Sequence, residues 1–139
     1  MLAVMRLSLL SLLLVCLPFA ASCVPHRDLP PDQINQLTKL DDVMDVQATV
    51  SDPQFKKAGE TSYTDADWAA FADMGNRIQV TSQKIHQFSK GPEFDQLADR
   101  LHTGAQNLSA AASAKDAAKA SATLGEMKAT CKECHSKFK

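Results

Sequence analysis

The C-terminal stretch Asp116–Lys139, DAAKASATLGEMKATCKECHSKFK, carries Ala117, Leu124, Met127, Cys131, Cys134 and Phe138 at steps of seven, three, four, three and four. Side chains so spaced fall on one stripe of an α-helix, so a helix is expected to begin near Asp116 and to bury that stripe. Three upstream segments repeat the pattern. The first opens at Pro31-Asp32 with Ile34, Leu37, Leu40 and Met44 plus a side stripe of Val43, Val46 and Val50. It is expected to end at Asp52-Pro53, because a residue before proline avoids helical geometry. After a connection, Thr64 caps a second segment with Asp65 and Asp67 in its first turn and Trp68, Phe71, Gly75, Ile78, Ser82 and Ile85 inward. Gly91-Pro92 reads as a helix end followed by a helix start. The third segment then runs on Phe94, Leu97, Leu101, Gly104, Leu108 and Ala111.

Alternation of three and four in each long segment predicts near-parallel packing, hence an all-α, antiparallel four-helix bundle. A three-helix bundle with a loose first segment is the alternative. Gly75, Ser82 and Gly104 hold seam positions where a self-sufficient core would place Leu or Ile. Either they leave room for something bulky or they let helices approach closely.

The N-terminus has a different layout. Residues 1–22, MLAVMRLSLLSLLLVCLPFAAS, join one positive charge at Arg6 to a short apolar run and then small residues, which is the form of a cleaved export signal. The run is too short for a comfortable membrane span. Cleavage at small residues competes with a lipoprotein reading in which Cys23 becomes the lipidated first residue. Lipid on Cys23 would explain an odd thiol in an oxidising compartment. Residues 23–30 then form a Pro-rich tether, and 31–139 the domain.

A chain from Cys23 has 117 residues, enough for one core and not two. The net charge of −1, falling to −2 without Arg6, gives no basic face for nucleic acid.

Within the last helix, Cys131 and Cys134 lie three apart on one face, and His135 lies four beyond Cys131. Two inward thiols can add to two vinyl groups along one edge of a haem, while an imidazole from the same turn reaches the iron. C-x-x-C-H is the signature of c-type haem attachment, which needs an exported setting. Three rivals stand beside it. A redox dithiol would sit at a helix N-terminus, where the dipole lowers a thiol pKa, rather than at a helix end. Structural zinc needs further ligands, and His86 and His102 have no ligand-spaced partner. A plain disulfide between Cys131 and Cys134 is the third.

With CKECH near the C-terminus of an exported helical chain, the sequence resembles the cytochrome c′ family, the class II c-type cytochromes. The resemblance spans about Pro31 to Lys139 and is best from GPEFDQLADRL to CKECHSKFK. Phe138 and Lys139 follow the histidine as an aromatic and a basic residue do in that family. The resemblance implies one haem c per chain, with Cys131 and Cys134 as covalent attachments and His135 as proximal iron ligand. It also sets a first-helix residue over the opposite haem face, and by position this is Met44. Family members often carry Arg one turn earlier, near a propionate. Here that position is Leu40, with Lys39 the nearest cation. Lys139 likewise replaces a common Arg and lacks its fork of donors.

Met44 separates two functions. A thioether on iron closes the site and suits electron transfer in the periplasm or cell envelope. If Met44 only packs there, a five-coordinate iron can bind NO or CO. A helical lipoprotein with a disulfide or metal at CKECH and a scaffolding role is the reading from another class. Expected partners are redox proteins, with a membrane reached through Cys23 and a homodimer left open. Lys128, Lys132, Lys137 and Lys139 offer charge for docking an acidic partner, but the stronger reading of cations at a helix C-terminus is that they complement its dipole and face solvent. No substrate pocket or catalytic residue is expected, since the chain reads as a carrier and not an enzyme. His102 is expected on the surface, and Trp68 and Phe71 in the core.

Overall fold

The computed structural model describes residues 27–139; residues 1–22, expected as an export signal, and Cys23 lie outside them. A short turn of helix, α1 (Pro31–Ile34), precedes four long helices: α2 (Leu40–Phe55), α3 (Asp65–Ile85), α4 (Pro92–Ala114) and α5 (Ala117–Phe138). Among the described residues there is no strand. Consecutive long helices pack on one another, and α5 returns to α2, closing the four-helix bundle. The N-terminal end of α2 and the C-terminal end of α5 share one end of the bundle, where Leu40, Met44, Cys134 and Phe138 all pack against one buried cluster.

Most boundaries follow from local chemistry. Thr64 caps α3 through a full capping box: its hydroxyl accepts from the Asp67 N–H, and the Asp67 carboxylate accepts from the Thr64 N–H. Lys57 pairs with the same carboxylate, and this hydrogen bond, followed by those from Thr64, lowers the Asp67 pKa from 3.8 to about 2. A depressed carboxyl pKa contributes stability that is present above the unfolded value and is lost as pH falls through the folded one. Denaturant melts of Asp67→Asn are therefore expected to depend less on pH between 3.8 and about 2 than those of the parent. Thr64→Ala is expected to cost about 1 kcal/mol.

Asp116 caps α5 by accepting from the Lys119 N–H at 3.0 Å. Between α4 and α5, Lys115 takes a left-handed conformation with φ 52°. The Lys115 and Asp116 N–H groups reach back to the Ala112 and Ala111 carbonyls, a turn usually built on glycine.

Several expectations are corrected. The first segment is not one helix: it breaks after Ile34 and restarts at Leu40, with Lys39 extended between them. The break frees the Asn35 carbonyl, which accepts from the buried Lys84 ammonium at 2.8 Å, while Ile34 and Leu37 remain buried. Pro53 does not end α2, which runs to Phe55. The ring forfeits one hydrogen bond of the ladder, and Phe55 gains a buried site by the extra turn. Gly91 ends no helix: α3 closes in a 3₁₀ turn, His86–Phe88, and Gly91 uses its φ of 115° to enter α4 ahead of Pro92. Finally, residues 27–30 of the tether are held to the bundle. Arg27 pairs with Asp42 at 2.9 Å, and Arg77 holds Asp28 and the Leu29 carbonyl.

Most of the expected seam residues are buried, with Trp68, Phe71, Ile78, Leu101, Leu108, Leu124 and Met127 in one cluster. Tyr63 adds edge contacts to Trp68 and Phe71. Val43 and Val46, expected as a side stripe, are fully buried in a second cluster with Ile34, Ile85 and Phe94. Small seam residues serve close approach. A Cβ on Gly75 would fall 2.9 Å from the Ala105 carbonyl oxygen, and Met127 fills the space over Gly104. Ser82 donates to the Gln79 carbonyl and meets His102 Nδ1 at 3.1 Å. His102 is thus half-buried between α3 and α4 and not a surface residue, because its ring supplies a polar contact to the Gln79 carbonyl across the seam.

Candidate functional site

A cavity of about 540 Å³ opens between α2, α4 and α5, in the size range of small-molecule and cofactor sites. Leu40, Met44 and Gln47 face it from α2, Phe94, Leu97 and Leu101 from α4, and Cys131, Cys134, His135 and Phe138 from α5. The sequence-predicted Cys131, Cys134, His135 and Met44 therefore share one space. Lys39 does not line it: it is exposed, and its extended backbone starts α2. Lys90, which no sequence pattern signals, does line it, and its ammonium donates to the Phe138 carbonyl at 2.7 Å. Phe94 and Phe138 pack edge to face across the mouth, with ring centroids 5.2 Å apart.

The walls are incompletely packed. Leu40, Met44, Cys134 and Phe138 are apolar or nearly so, yet only half-buried, although they adjoin a well-buried cluster. Such a surface is completed by a large apolar group.

Both cysteines are free thiols, and Cys131 is the more enclosed. Burial, with help from Cys134 and Asp52, pushes the Cys131 thiol up to about 11, and burial also raises Cys134 despite the opposing charge of Lys90. Protonated thiols at neutral pH are poor partners for disulfide exchange, which runs through thiolates. This weighs against a redox dithiol. Among the described residues no three His, Cys, Asp or Glu side chains gather as a metal cluster. The donor set instead fits haem: two thiols on one helical face, an exposed imidazole from the same turn, and an apolar cavity in front of them.

The basic ring expected around the motif is only partly free. Lys137 is engaged by Glu93 and Glu133, whereas Lys132 and Lys139 are exposed. Asp41 and Asp45 bring acidic groups to the opposite rim. Trp68 and Phe71 lie in the core away from the cavity.

A closed helical bundle with a C-x-x-C-H turn facing an apolar cavity defines a c-type haem protein. The family model for cytochrome c′ matches residues 34–139, and the chain belongs to that family. No match was found among curated proteins or among solved structures. Members of the family are c-type cytochromes with covalently bound haem and are typically exported to the periplasm. Among the described residues no helix is long and apolar enough to cross a membrane.

Proposed function

We propose that this chain is a single-haem electron carrier of the cell envelope, with its iron closed on the α2 side by Met44. The observation that carries the reading is the placement of Met44: half-buried on α2, it lines the same cavity as His135 of α5. An imidazole and a thioether thus come to one space from two different helices. When bound, haem supplies an iron that changes oxidation state by one electron.

The chain supplies the rest. Cys131 and Cys134 would hold the macrocycle edge through thioethers, and the α5 backbone fixes their spacing to His135. Leu40, Phe94, Leu97 and Phe138 exclude water and keep the surroundings apolar. A sixth ligand already in place lets an electron pass with little rearrangement, whereas an open position invites exogenous ligands. The carrier acts without a substrate of its own, so it is not an enzyme. Residues 1–22 would direct export and Cys23 would carry lipid, holding the carrier at a membrane. Redox proteins would dock at the cavity mouth beside Lys90, Lys132 and Lys139.

Carbon monoxide tests the reading. The ferrous holoprotein is expected to be low-spin and to resist CO, while Met44→Ala is high-spin before CO is added and then binds it readily. Ready CO binding by the parent, with a spectrum unchanged by Met44→Ala, would assign the chain to gas binding instead.

A further inference from the structure

Gln47 lies three residues after Met44 on α2, so both reach the cavity from neighbouring positions of one helical face. Its side chain is 7% exposed, an uncommon setting for an uncharged amide beside an apolar cofactor space. The amide is held in one orientation. Gln47 Nε2 donates to Thr81 Oγ1 at 3.0 Å, and the Thr81 hydroxyl spends its only proton on the Ile78 carbonyl at 3.2 Å. With that proton committed, Thr81 can only accept, so the amide nitrogen and not the oxygen must face it.

Thr81 is fully buried on α3 and does not line the cavity, whereas Gln47 does. The positive end of the amide is therefore anchored in the α2–α3 seam. Its carbonyl oxygen, at the other end of the amide from Thr81, accepts no hydrogen bond among the described residues, and Gln47 itself lines the cavity.

We propose that Gln47 is an electrostatic tuning residue: a clamped amide dipole whose negative end faces the cofactor space and stabilises ferric iron over ferrous. Oxidation adds one positive charge to the iron, and a fixed dipole acts on that charge strongly in a low-dielectric interior. Hydrogen bonding and polarity around a haem are among the protein's means of setting its potential. The inference rests on haem occupying this cavity and not on ligation by Met44.

Redox titration of holoprotein at neutral pH, with the spin state recorded beside it, tests the proposal. Gln47→Leu keeps comparable bulk and removes the dipole. It is expected to move the ferric–ferrous equilibrium about tenfold towards ferrous, a rise of about 59 mV for a one-electron couple. Thr81→Val keeps the amide but releases its clamp, and a smaller rise is expected. An unchanged or lowered potential in Gln47→Leu, or a changed spin state in that variant, would overturn the assignment. If Gln47→Leu does not fold, Thr81→Val decides, and an unchanged potential there overturns it. A high-spin parent would defeat the electron-carrier reading while leaving the comparison of potentials intact.

Discussion

Replacing both Cys131 and Cys134 by alanine is expected to abolish covalent haem retention completely, so that acidified organic solvent strips all the colour from the double variant and none from the parent. Each thiol is one potential thioether, and both face the cavity from the same side of α5. His135 survives in the double variant, so haem can still meet an iron ligand, but nothing then ties the macrocycle to the chain. Either single variant keeps one attachment and is expected to retain its haem through acid treatment. A double variant that still retains haem would show attachment elsewhere, and parent protein whose haem is extracted would remove the thioethers altogether.

Gly75→Val is expected to be the most damaging single substitution in the bundle outside the haem site, costing about 3 kcal/mol, the upper end of overpacking losses. Even the first added carbon would sit 2.2 Å from Ser109 Oγ and 2.9 Å from the Ala105 carbonyl oxygen. The Ser109 hydroxyl can rotate away, but the Ala105 carbonyl is backbone of α4 and can clear the clash only if the helices part. Gly75→Ala also gains about 0.8–1 kcal/mol of helix propensity, so its net loss is expected to be smaller, about 1–2 kcal/mol. Gly125 is the contrast. It lies inside α5, a Cβ there meets nothing within 4 Å, and Gly125→Ala is expected to stabilise by up to about 1 kcal/mol. Denaturant unfolding of the holoproteins measures all three, and equal effects at the two positions would contradict the role given to close packing of α3 on α4.

Which features could be read from the sequence follows from the range of the forces involved. The stripe ending in Met127, Cys131 and Cys134 shows because helical periodicity and a five-residue motif are local. Thr64 shows because its capping box spans four residues. The break at Asn35 does not show, since it is stabilised by Lys84, forty-nine residues away. The left-handed turn at Lys115 is likewise hidden, because lysine carries no turn signal there.

In the site, Cys131, Cys134, His135 and Met44 were legible and the structure brings them to one cavity. Lys90 and Gln47 were not, although Gln47 had one available signal: it shares the helical face of Met44. A role for Lys39 follows only from its nearness in sequence to Leu40, and the structure leaves it exposed and outside the cavity lining. Gly75, Ser82 and Gly104 could be flagged as small but not explained, because the same small side chain serves a cofactor or a close helix contact. Only the neighbouring Ala105 carbonyl, Met127 and His102 distinguish the two.

The iron's second axial ligand is read most directly by near-infrared magnetic circular dichroism of the ferric holoprotein at neutral pH, which reports whether thioether sulfur is bound. Sulfur ligation is expected in the parent and absent in Met44→Ala. A parent protein with high-spin iron and no sulfur signature would contradict closure of the site by Met44, and with it the electron-carrier reading.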